Sequence, residues 1–147
     1  MSRLRKFQSR NWPDRFLLLE ALAWLALARI LIHGIPFRWL APRLGRQMAQ
    51  SPEAVGDSDR ALARRVGWAV EAVARNSPVR FACFPQAIAA KWMLRRRGLP
   101  STLHLGAKVG EEDRLAAHAW LRVGDRILTG REQSRSHKTI ITFAENG

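Results

Sequence analysis

Cysteine occurs once in this chain of 147 residues, at Cys83, and four histidines accompany it. Cys83 opens the run Cys83-Phe84-Pro85, directly ahead of a segment with helical spacing, Gln86 to Arg97. His118 stands in Ala116-Ala117-His118-Ala119-Trp120-Leu121, which reads as a β-strand. A thiol at a helix N-terminus sits beside unpaired N–H groups. These favour negative charge on sulfur and can donate to an oxyanion. An imidazole on a neighbouring sheet can take the thiol proton and later protonate a leaving amine. The plain alternative for Cys83 is a buried thiol, since cysteine packs readily as a small hydrophobe. For His118 it is a satisfied core histidine or one on an edge strand. The flanking alanines leave room for another group against its ring. His33, His104 and His137 lack such a context, and no two histidines have convincing metal-ligand spacing.

A third group should orient the imidazole. If Gly124-Asp125 is a two-residue hairpin loop, Val123 pairs with Arg126 and His118 lies across from Arg131. Glu132 is one residue from that position, and a bulge or small register change brings it alongside His118. It ranks first. Asp125, in the turn, ranks second, and Asp113 lies in the charged loop before the His118 strand.

These residues need elements to hold them. Phe16 to Ile32, FLLLEALAWLALARILI, is apolar almost all the way round and predicts a buried or partner-covered helix. Asn11 or Asp14 can cap its start, Pro13 suits an early helical position, and Gly34 and Pro36 end it. Phe37 to Gln50 predicts a short amphipathic helix broken or started at Pro42. Ser51 to Asp59 is a linker. Arg60 to Arg75 repeats Leu62, Val66, Ala69, Val70 and Val73 at helical steps, with Asp57 or Ser58 as cap. In the helix after Cys83, Pro85 marks the start and Gly98 the end, and its basic residues, Lys91 and Arg95 to Arg97, collect toward the C-terminus. Ser101 to Val109, Leu115 to Val123, Arg126 to Thr129 and Thr139 to Phe143 predict an antiparallel meander. The fold class expected is α+β.

Composition narrows the function. One cysteine excludes an internal disulfide framework and a four-cysteine metal site, and a lone thiol fits a reducing, cytoplasmic setting. The net charge of +13 points to an acidic partner: nucleic acid, anionic lipid, or an acidic protein or peptide. The plain alternative is a solubilising charge. No zinc finger, basic heptad region or RNA-binding aromatic pattern supports specific nucleic-acid binding. No cleavage site for a signal peptide is clear. Glu20 and Arg29 interrupt the apolar run, which is shorter than the roughly 20 residues of a membrane span, so membrane contact is not the favoured expectation.

The combination Cys83-Phe84-Pro85-Gln86-Ala87, Leu94-Arg95-Arg96-Arg97-Gly98-Leu99-Pro100 and Ala117-His118-Ala119-Trp120-Leu121-Arg122-Val123-Gly124-Asp125-Arg126 resembles the leader peptidases of lasso-peptide biosynthesis. The N-terminal apolar run and Pro36-Phe37-Arg38-Trp39-Leu40 extend the resemblance. It implies a transglutaminase-like, papain-like cysteine-protease core at 51–147 behind a helical region at 1–50. It implies Cys83 as nucleophile and His118 as base, with no cofactor and no metal. Its partners would be the precursor peptide and a separate leader-recognition protein, since no room remains for a fused recognition domain. A cyclase would act on the freed core. One departure stands out: where many relatives carry an aspartate about a dozen residues after the histidine, this chain has Gly130. The rival reading is a basic, non-catalytic module on the same fold that binds acidic peptide or nucleic acid.

Overall fold

A computed structural model describes residues 12–78, 81–109, 115–131 and 138–144. The architecture is α+β, with helices packed on an antiparallel sheet. Helix α1 spans Trp12–Gly34, α2 Phe37–Leu40, α3 Asp57–Asn76 and α4 Cys83–Arg96. The strands are β1 Arg46–Gln47, β2 Thr102–Val109, β3 Leu115–Val123, β4 Arg126–Thr129 and β5 Lys138–Ala144, in sheet order β1-β5-β2-β3-β4.

Helix α4 is the centre of the molecule. Pro85 and every residue from Ala87 to Leu94 are buried, because α1 and α3 cover one side and β3 the other. A helix enclosed on all sides cannot be amphipathic in the usual sense. This explains why Lys91, grouped in the sequence with the basic residues toward the helix C-terminus, has no exposure at all. Its ammonium donates to the Ser101 carbonyl at 2.7 Å and to Ser101 Oγ at 3.2 Å. Those bonds offset the cost of burying the charge and tie the helix to the start of β2.

The C-terminal end of α4 is closed by its own backbone. Gly98 takes φ 74°, Leu99 N–H reaches the Leu94 carbonyl at 3.0 Å and Gly98 N–H reaches the Arg95 carbonyl at 3.0 Å. That is a Schellman cap, and glycine at its left-handed position avoids the Cβ clash. Arg96 and Arg97 then grip Glu20 of α1, at 3.0 Å and 2.6 Å. The Arg97 hydrogen bond, against some opposition from burial, holds the Glu20 carboxyl below its ordinary range. The arginine run is therefore a clasp between α4 and α1, reinforced where Trp24 meets Trp92 with ring centroids 5.6 Å apart.

Three elements differ from the sequence expectation. Helix α1 starts four residues before Phe16, with Pro13 in its first turn and Asp14 bonded to Arg65 of α3 at 3.2 Å. Asn11, the other cap considered, lies outside the described residues. The amphipathic helix expected over Phe37 to Gln50 is instead α2, a 3-10 turn at Ala41–Leu44, and β1. Pro42 cannot supply the next helical N–H, and Gly45 at φ 116° passes so close to Ala144 that a Cβ would sit 2.8 Å from its carbonyl. The chain thus leaves helix to pair with β5, Arg46 against Ala144. Helix α3 starts at Asp57, three residues earlier than expected, with Gly56 as its N-cap.

One glycine lets the sheet's outer layer close. Trp120 lies over Gly106, where a Cβ would collide with the indole ring and stand 2.8 Å from the Lys138 carbonyl oxygen. The ring also stacks on His104, with centroids 5.5 Å apart and planes 6° from parallel. A Gly106→Ala protein should lose about 1–3 kcal/mol through overpacking, read as a lower urea midpoint with an unchanged slope.

Candidate active site

Cys83 is the first residue of α4. The preceding residue, Ala82, is extended at ψ 175° and offers no side-chain cap. In the first turn, Gln86 N–H bonds the Ala82 carbonyl at 3.3 Å and Pro85 has no N–H. The N–H groups of Cys83 and Phe84 have no acceptor within the helix. The Gln86 side chain donates to the Phe81 carbonyl at 3.0 Å, which pins the approach to the helix. The thiol therefore sits half-buried at an uncapped helix start, where the backbone can receive negative charge.

The sheet brings the histidine to it. Cys83 Sγ stands 3.4 Å from His118 Nδ1, and Ala119 N–H donates to the same sulfur at 3.5 Å. His118 lies well inside the β2–β3 ladder, paired with Gly106. Its ring is thus carried on a strand rather than a loop. If Nδ1 is to accept the thiol proton, the ring proton must reside on Nε2, the side on which an orienting acceptor would act.

The edge of β3 is open to Cys83 because β4 departs early. Val123 pairs with Arg126 and Arg122 with Ile127, but Leu121 pairs with Thr129, so the ladder bulges by one residue there. Gly130 follows at φ 73°, and a Cβ on it would meet the Ala119 carbonyl oxygen at 2.6 Å and Trp120 Cβ at 2.9 Å. This is the place where many relatives of the resembled family carry aspartate. In this chain neither the backbone angle nor the space admits a side chain.

The orienting carboxylates separate into two cases. Asp125 is at the hairpin turn, pairs with Arg60 of α3 at 3.6 Å, and is seven residues along the chain from His118. Five of those steps, from His118 to Val123, lie along β3 and span about 17 Å. Asp125 is not brought to the ring. Glu132 and Asp113 lie outside the described residues. Sequence reasoning overlooked Glu71 of α3, a half-buried carboxyl pushed up by burial, which Arg131 and Arg75 partly offset. Its helical spacing marks it only as an intermediate position, and nothing in the sequence connects it to Arg131.

His104 is no rival to His118. It is stacked on Trp120, and its Nδ1 lies 3.2 Å from Thr139 Oγ1. Burial, aided by the charge of Arg122, lowers its pKa from 6.5 to about 4. Among the described residues, no group of three His, Cys, Asp or Glu side chains could hold a metal ion.

A cysteine at a helix start, bonded to a histidine on an adjacent antiparallel sheet, is the arrangement expected of a papain-type thiol site. The family comparison agrees at the level of the fold: the model for the transglutaminase-like superfamily matches residues 31–142. The chain belongs to that superfamily, which includes cysteine proteases and acyltransferases. The match begins within α1 and includes α2 and β1. No curated protein and no solved structure matches the chain.

Two outcomes follow. Gly130→Asp should lower the melting temperature and should not speed alkylation of Cys83, because the added side chain collides with the strand that carries His118. His104 binds its proton more weakly folded than unfolded, so the unfolded state holds the extra proton between pH 6.5 and about 4. Its contribution therefore costs stability progressively as pH falls through that window. A His104→Phe protein, which keeps a ring against Trp120, should show a flatter denaturation midpoint over the same range.

Proposed function

We propose that this chain is a cysteine peptidase that removes the leader from a ribosomally made lasso-peptide precursor, acting with a separate leader-recognition protein. The observation that carries the reading is the 3.4 Å contact between Cys83 Sγ and His118 Nδ1 at an uncapped helix N-terminus. The finer assignment, to leader cleavage, is supported by the motifs around Cys83, Arg95-Arg96-Arg97-Gly98 and His118 that resemble those peptidases.

In this mechanism His118 Nδ1 takes the Cys83 proton, and sulfur attacks the carbonyl carbon at the leader–core junction. Negative charge passes to the carbonyl oxygen, toward the N–H groups of the first turn of α4. The C–N bond breaks as His118 returns its proton to the core amine. The leader remains as a thioester on Cys83. Water, deprotonated by His118, then releases it as a carboxylate and restores the thiol. Ala119 N–H, already directed at the sulfur, steadies the thiolate whenever it forms. Glu132 is the carboxylate we assign to orient His118. The support for it is its place in the chain, three residues past the end of β4 at Thr129, the strand that pairs with the one carrying His118.

The freed core N-terminus would be the nucleophile for a cyclase. Incubation with a precursor and its recognition protein, followed by mass measurement, tests the reading. Cys83→Ala should abolish leader release. Glu132→Gln should slow it by up to about 10⁴-fold, the drop that follows when a triad aspartate becomes its amide. Asp125→Asn should leave it within about twofold of the parent. Leader release by a folded Cys83→Ala protein would overturn the assignment in favour of a binding module.

A further inference from the structure

Helix α1 has two apolar faces, and the protein uses one. Leu17, Ala21, Leu25 and Ala28 are buried toward α3 and α4. On the opposite side Trp12, Phe16, Leu19, Ala23, Leu27 and Ile30 form a stripe along the whole helix, with Trp12, Phe16 and Ile30 about two-thirds exposed. Single exposed apolar residues are ordinary, but a contiguous stripe of this length marks an interaction surface.

The pattern of charge indicates what covers it. Both carboxylates of α1 are taken up on the protein side, Asp14 by Arg65 and Glu20 by Arg96 and Arg97. The outer stripe therefore bears no charge. The sequence around it is basic: Arg15 and Arg29 lie on the helix, Arg38, Arg43 and Arg46 follow it, and the sequence ahead of it carries Arg3, Arg5, Lys6 and Arg10. Arg15 stacks over Trp12, 5.0 Å from the ring centroid. An uncharged face edged by tryptophan and arginine is the pattern of a helix lying in a membrane interface. A protein partner would ordinarily need polar groups among the apolar ones. A second copy would bring another +13 against the first.

We infer that the outer face of α1 docks on an anionic lipid surface, with the helix lying in the headgroup plane. By length and composition α1 could cross a bilayer. Its packing on α3 and α4 and the Glu20 clasp hold it on the protein instead. The inference is independent of the peptidase reading.

Flotation of the full chain with vesicles of phosphatidylglycerol and phosphatidylcholine tests it. The parent should float with these vesicles, float poorly with phosphatidylcholine alone, and release partly as salt rises. Phe16→Glu combined with Ile30→Glu should cut binding at least tenfold while leaving the circular-dichroism melt and Cys83 alkylation unchanged. Should that pair fail to fold, Ile30→Gln alone should weaken flotation severalfold. Three results would overturn the inference. One is absence of flotation by the parent. Another is equal flotation by the folded double variant, which would trace binding to net charge alone. The third is a parent dimer in sedimentation that the variant breaks and the vesicles do not.

Discussion

The site depends on one helix end meeting one strand edge, and most of the remaining packing serves to hold that meeting. Cys83 and His118 are thirty-five residues apart in sequence, and a 3.4 Å contact between them tolerates little drift. Helix α4 is therefore held at several points: buried from Ala87 to Leu94, capped at Gly98, clasped to α1 through Glu20, and bonded through Lys91 to Ser101 just before β2. A buried lysine contributes little stability once its desolvation is counted. Its value here is directional, since it fixes the helix relative to the strand neighbouring β3. Precision at the sulfur is thus obtained from contacts far from it, as rigid sites generally require.

The same logic explains the irregularities of the sheet. A regular β4 would continue along β3 and occupy the edge that Cys83 needs. The bulge at Leu121/Arg122 and the left-handed Gly130 end the pairing before Ala119, whose N–H then turns to the thiol. The bulge and the site are two consequences of one requirement, which is why bulges so often stand beside active sites. Gly130, which reads in the sequence as the loss of a catalytic aspartate, is a structural necessity of this backbone.

Much of this was legible in the sequence, and the failures have physical causes. The strands of the second half, the hairpin at Gly124-Asp125 and the end of α4 were readable because alternation and turn glycines are local signals. The expected meander, however, is not the topology: β5 returns to pair with β2 instead of β4, a long-range choice that no local signal shows. The pairing of Cys83 with His118 was readable as chemistry, although neither residue alone outweighed its structural alternative. The arginine run was read only as a complement to the helix dipole. Its bonds to Glu20 are long-range, and spacing cannot show them. Lys91 was grouped with those arginines, but it is buried and bonded to Ser101, a partner beyond the helix that helical position alone does not show. Phe37 to Gln50 was misread because Pro42 and Gly45 act together: proline stops the helix, and glycine permits the contact with Ala144 that recruits the chain into the sheet.

Helix α1 shows most clearly what a periodic pattern leaves undecided. Apolar residues all round a helix state that both faces will be covered, not by what. The fold supplies one cover, α3 and α4, and settles the choice by consuming both acidic side chains on that side. Had Asp14 or Glu20 pointed outward, the outer stripe would carry a charge that an anionic surface repels. Turned toward α3 and α4, the same two carboxylates tie those helices to α1 and leave the opposite stripe uncharged. One set of ion pairs thus positions the nucleophile's helix and determines the character of the surface on the far side of it.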